Sequence, residues 1–110
     1  MELLITGSRT FNDKELLFSE LNKLNFDLLI SGGAKGADQL AEEFVRCHNI
    51  PIDQHKPDYK KYGRGAPIVR NKEMVELCDT VIAFWDGKSK GTKSTIDYAK
   101  KLGKEIRIIL

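Results

Sequence analysis

The chain has 110 residues, 41% of them hydrophobic and 31% charged, three prolines and a formal net charge of +2. A chain of this size folds to roughly 6,200 Å² of surface, enough for one core over residues 1–110 and too little for two domains. The composition excludes collagen-like and disordered chains, no apolar run reaches the length of a membrane span, and MELLITGSR lacks the basic start of a signal peptide, so a cytoplasmic protein with no membrane partner is expected.

The elements alternate along the chain. Leu3–Thr6 is an apolar strand ending at Gly7, and a helix follows with Asn12 as its cap and Leu17, Leu21 and Leu24 at helical spacing. Leu28–Ile30 is a second strand running into Ser31-Gly32-Gly33-Ala34-Lys35-Gly36. The next helix carries Ala37, Leu40, Ala41, Phe44, Val45 and His48 on one stripe, with Glu42, Glu43 and Arg46 assigned to solvent. Ile50–Ile52 is a weak third strand, and 53–66 reads as a polar loop. A helix is predicted over 67–77, then a buried strand at Val81–Phe84. A glycine loop, Lys88–Thr92, opens a helix bearing Ile96, Ala99 and Leu102, and Ile106–Leu110 closes the chain as a strand. Strands and helices in alternation, with continuous apolar strands, imply an α/β, Rossmann-like three-layer fold with a mostly parallel sheet of about five strands. Its edge strands make a homo-oligomer an expected partner.

Charge is unevenly divided. Residues 1–55 carry 5 basic and 9 acidic side chains; residues 56–110 carry 13 and 7. The second half therefore suits a phosphate-bearing partner. Cys47 and Cys78 are read as two reduced, mostly buried thiols, and with two isolated histidines they make no zinc set, so neither a metal nor a cofactor is expected.

Three polar loops follow strand ends: Gly7-Ser8-Arg9-Thr10, Ser31–Asp38 and Trp85–Thr92. In an open parallel sheet such loops emerge at one edge. If the first and fourth strands flank the reversal of strand order, a crevice opens between them. Glycine turns and helix N-termini there would offer backbone N–H groups to phosphate. The candidate ligand-binding residues are Gly7, Ser8, Arg9, Gly32, Gly33, Gly36, Asp38, Arg70, Asn71, Trp85, Ser89, Gly91 and Thr92. Arg70 would clamp an anion, Asp38 would take a ribose hydroxyl or serve its own helix, Asn71 or Trp85 would select a base, and Thr92 would cap its helix. Were the chain an enzyme, Arg70 and Asp86 would be its catalytic pair. Tyr59, Lys60, Lys61, Tyr62 and Arg64 interleave rings with charges; a solvated loop is the favoured reading, and a single-strand contact surface the alternative.

Gly7-Ser8-Arg9, Ser31 through Asp38, Gly63 through Met74 and Phe84 through Thr92, taken together, resemble the small SLOG-superfamily proteins related to YspA and the YpsA-like group. The resemblance implies a Rossmann-like fold and a pocket for a nucleotide or nucleotide-derived ligand, in proteins that sense or process it. Two more distant branches are also similar. The phosphoribohydrolases share Arg70 and Met74 and the Gly91-Thr92 pair, but Asn71 stands for their lysine and Thr95 for their glutamate. The DNA-processing, DprA-like proteins bind single-stranded DNA. Binding or sensing of a nucleotide-like small molecule is thus the leading expectation. N-glycosidic hydrolysis of a nucleotide is the first alternative, and nucleic acid ranks lowest because +2 is a small charge for that role.

Overall fold

The computed structural model describes residues 1–109. Five parallel strands, β1 (Glu2–Gly7), β2 (Leu28–Ser31), β3 (Ile52–Gln54), β4 (Thr80–Phe84) and β5 (Glu105–Ile109), form one sheet in the order β3-β2-β1-β4-β5. The helices are α1 (Lys14–Asn22), α2 (Ala37–Cys47), α3 (Tyr59–Tyr62), α4 (Ala66–Leu77) and α5 (Lys90–Lys101), with a 3₁₀ turn at Gly63–Gly65. The expected three-layer α/β architecture is the one found. Its folded surface, 6479 Å², agrees with the size scaling.

The period-two alternation of the strands sorts the core into two layers. Leu3, Ile5, Leu29, Ile82 and Phe84 face α1 and α2, where they meet Leu17, Leu21, Phe44 and Val45. Leu4, Ile30 and Val81 face the opposite way, against Met74 and Val75 of α4 and Ala99 of α5. Every residue of β4 is buried, as its unbroken apolar run requires of a central strand covered on both faces. The register Leu3↔Thr80 through Gly7↔Phe84 brings the C-terminal ends of β1 and β4 level. The strand order reverses between them, because β2 and β3 lie on one side and β5 on the other.

Several local expectations shift. Asp13, not Asn12, caps α1, accepting from Leu16 N at 3.1 Å. β3 starts at Ile52 because Pro51 has no N–H for a ladder; its carbonyl still accepts from Leu29 N at 3.0 Å. The loop 53–66 holds α3, nucleated by Asp58 accepting from Lys61 N at 3.2 Å. Leu102 is the C-cap of α5 and is exposed, and Cys47 is exposed while Cys78 is buried. The largest departure is Glu42, assigned to solvent but only 4% exposed. It lies one turn beyond Asp38, on the inward face of α2. Leu110 lies outside the described residues. No helix among the described residues is long and apolar enough to cross a membrane.

Candidate functional site

A crevice opens where β1 and β4 part, the place at which open parallel sheets hold their ligands. Its walls come from four separate stretches. β1 contributes Thr6 and Gly7, followed by Arg9; the loop after β2 contributes Ala34 and Asp38; α4 contributes Pro67, Arg70, Asn71 and Met74; and the start of α5 contributes Ser89, Gly91 and Thr92. The enclosed volume is about 140 Å³. Small-molecule pockets are about 300–1,000 Å³, so this space by itself suits a phosphate and part of a sugar.

Arg70 is the central group. It sits one turn into α4, half-buried, with its Nη1 donating to the Gly32 carbonyl at 3.2 Å and the His55 carbonyl at 3.3 Å, and its Nε to Asn71 Oδ1 at 2.9 Å. Asn71 thus orients the guanidinium. Burial lowers the pKa of Arg70, the nearby Asp38 carboxylate opposes that, and the Arg9 charge adds to the lowering. A guanidinium keeps its proton even so. Arg9 and Arg70 both line this hydroxyl-bearing cavity, so an anion placed in it would meet two positive charges.

The far wall is built by the turn into α5. Ser89 caps the helix, its Oγ accepting from Thr92 N at 3.4 Å and lying 3.1 Å from Thr92 Oγ1. Thr92 is only 3% exposed. Ser89, not Thr92, is therefore the helix cap, and the Thr92 hydroxyl forms part of the crevice wall. A Cβ added at Gly91 would meet nothing within 4 Å.

The loop after β2 is organised differently. Asp38 Oδ2 accepts from Gly32 N at 3.1 Å and Ala34 N at 3.3 Å, and Ser31 Oγ accepts from Gly33 N at 3.1 Å. The amides expected to cradle a phosphate are thus already occupied by the protein's own side chains. The glycines are there for space. A Cβ at Gly32 would lie 2.7 Å from Arg70 Nη1, one at Gly33 2.7 Å from the Gln54 amide, and one at Gly36 would strike the carbonyl oxygens of Ser8 and Arg9. Gly36 itself, at φ +84°, packs under the first loop. Below this loop Glu42 accepts from Ser31 Oγ at 2.8 Å, from Gln54 Nε2 at 3.1 Å and from Arg46 Nη2 at 3.3 Å. Burial pushes the Asp38 carboxyl up to about 6, against the pull of the two backbone N–H groups and Arg70.

A second hollow, about 350 Å³, adjoins the first and shares Arg9, Ala34, Pro67 and Arg70 with it. Gly32, Gly33, Lys56, Pro57 and Tyr59 complete it, and Tyr59 is 59% exposed. Sequence reasoning left Lys56 and Pro57 out of the site and set Tyr59 on a separate surface; the only signal was the ring beside charges. Proline at the start of α4 and the i,i+4 step from Asp38 were the unused signals for Pro67 and Glu42.

The remaining candidates lie elsewhere. Ser8, Trp85 and Asp86 line a hollow of about 260 Å³ on the opposite side of the first loop. Ser8 is buried, and its Oγ accepts from Asp86 N at 3.3 Å. Trp85 donates its indole N–H to the Ser89 carbonyl at 3.0 Å. Asp86 accepts from Lys88 N and Ser89 N, both at 2.8 Å, and these bonds hold its carboxyl below the ordinary range. An exposed, firmly ionised carboxylate has no proton to give, and Arg70 and Asp86 line different hollows.

The family model for YAcAr, the YspA, cpYpsA-related SLOG family, matches residues 1–62. The Gene 61 protein of Mycobacterium phage D29 is 34% identical over 92% of this chain and 90% of its own length. An SPbeta prophage-derived protein of Bacillus subtilis, YoqJ, is 29% identical over 56% of this chain and 37% of its own. Among solved structures, DNA processing protein A from Streptococcus pneumoniae superposes with a TM-score of 0.78 at 17% identity, over 99% of this chain and 50% of that one. DNA processing protein A from Helicobacter pylori, described for its single-stranded DNA binding mode, gives 0.77 at 23% identity, over 98% and 64%. This chain thus spans one half to two-thirds of those proteins. These matches correct the expected order of partners, which placed nucleic acid below a small molecule.

Proposed function

This chain belongs to the YspA, cpYpsA-related SLOG family, and on that premise we propose that it binds single-stranded nucleic acid through the crevice between β1 and β4. One phosphodiester lies between Arg9 and Arg70, facing the Ser89 and Thr92 hydroxyls. The adjoining base lies in the second hollow against Tyr59, where an exposed ring offers a stacking face to any base. The observation that carries this reading is the shared wall: Arg9 and Arg70 line both hollows, so one anion held by the pair has an aromatic-sided space on one flank and a hydroxyl-lined pocket on the other. The fold shared with a single-stranded DNA binder supports it.

Arg9→Gln and Arg70→Gln are the tests. Each is expected to weaken binding of a short oligothymidylate about tenfold, about 1.4 kcal/mol. Each is also expected to make the salt dependence shallower by about 0.7 in log–log slope, one phosphate contact on a single strand. Fluorescence anisotropy across a salt series reads both. A folded wild-type protein that binds no oligonucleotide at low salt overturns the reading, and so does a mononucleotide bound more tightly than the strand.

A further inference from the structure

The outer seam between α4 and α5 is a second concave surface, about 430 Å³, bordered by Lys72, Lys90, Lys93 and Lys101 with Tyr98 as its floor. Lys93 is paired with Asp97 at 2.8 Å. Lys72, Lys90 and Lys101 form no ion pair among the described residues. Lys72 stands 5.6 Å over the Tyr98 ring, and the Tyr98 hydroxyl donates to Glu76 at 2.8 Å, which fixes the ring beneath it. Three exposed ammonium groups without an ion-pair partner border one hollow that also holds Asp97, and together they favour an anion with several charges spaced along it.

On both helices the lysines of the seam are sequence neighbours of residues that line the crevice. Lys72 follows Asn71 directly, and Lys90 lies between Ser89 and Gly91; all three neighbours line the crevice. A strand leaving the crevice over the start of α5 therefore runs onto the lysines. We propose that the α4–α5 seam is a second phosphate track for that same strand, contacting backbone and not base edges. This rests on the single-strand reading and extends it. The molecule is 35 Å in its longest dimension. At about 3.4 Å per stacked nucleotide this corresponds to a footprint of roughly ten nucleotides at most, far longer than the crevice alone holds.

The experiment compares the wild type with Lys72→Gln/Lys90→Gln/Lys101→Gln, using oligothymidylates of about three and about twelve nucleotides. The wild type is expected to bind the long strand more tightly than the short one. The triple variant is expected to keep its affinity for the short strand. On the long strand it should lose on the order of tenfold, with a salt slope shallower by about 2, three contacts at about 0.7 each. The replaced side chains are exposed, so the thermal transition should not move. An unchanged long-strand affinity in the variant overturns the track, as does a wild type that gains nothing from length while still binding the short strand; the crevice reading survives both. A wild type that binds neither length removes both readings. Polyglutamate competing as well as an oligonucleotide of equal charge would reassign the seam to an acidic protein partner and overturn the proposal.

Discussion

Asp38 and Asp86 perform the same local task and end with opposite chemistry. Each closes a polar loop at the C-terminal edge of the sheet, and each carboxylate accepts two backbone N–H groups at 2.8 to 3.3 Å. Asp38 is 7% exposed and its carboxyl is pushed up to about 6, whereas exposed Asp86 is held below the ordinary value. Two hydrogen bonds lower a carboxyl pKa; removal from water raises it, and in the buried loop removal from water wins. The glycines divide in the same way. Those of the first two loops are pressed against other chain segments, and Gly87 and Gly91 of the third face open space. The loop after β2 is a packed joint, and the loop after β4 is a free rim, although both read as glycine-rich turns.

The largest expected effect is on the packed joint. Gly36→Ala puts a Cβ into the Ser8 and Arg9 carbonyls at a residue with φ +84°. Backbone strain plus overpacking should cost about 4 kcal/mol, read as a lower urea midpoint or as failure to fold. A glycine loop that tolerates alanine there would erase the distinction drawn between the two loops.

Next comes the pH response. The folded chain keeps the Asp38 proton up to about 6, the unfolded chain only to its ordinary value near 4. Between those values the folded state holds more protons than the unfolded state, so this group's contribution to stability falls as pH rises from about 4 to about 6. The difference is on the order of 3 kcal/mol. Asp38→Asn should lack that slope. Asp86→Asn should retain it, because a depressed carboxyl contributes above its unfolded value and is lost only at lower pH. Urea midpoints measured from pH 4 to 7 separate the two. Identical profiles for both variants would mean that burial does not distinguish the loops.

The smallest effect has the opposite sign. Gly91 lies in the first turn of α5 with no neighbour to obstruct a methyl group. Gly91→Ala should stabilise the fold by about 0.7 kcal/mol through helix propensity. Thermal unfolding checks it, and a clear destabilisation would show that the rim is packed after all.

Much of the site was legible because its parts follow strand ends. Gly7, Arg9, Asp38, Arg70, Asn71, Ser89, Gly91 and Thr92 all line the crevice, as their positions after β1, β2 and β4 and on α4 suggested. Trp85 and Asp86 follow β4 just as directly but lie on the other side of the first loop with Ser8. Position after a strand fixes the edge of the sheet on which a residue emerges. It does not fix the side of the loop to which its side chain turns. Glu42 was missed because its neighbours Glu43 and Arg46 made it look like part of a wet face, while its partners Ser31 and Gln54 come from β2 and β3.

By itself the amino-acid order determined the alternation of elements, the parallel sheet with both faces covered and the gathering of polar loops at one edge. Those follow from hydrophobic periods of two and 3.6 and from the placement of glycines, all local properties of the chain. Tertiary structure alone decided which loop is closed by its own carboxylate and which is left open, that Arg9 and Arg70 stand between two hollows, and that lysines separated by a strand and a loop border one seam. Each of these depends on burial and on distances between segments far apart in the chain, and such quantities exist only after the sheet has brought the segments together.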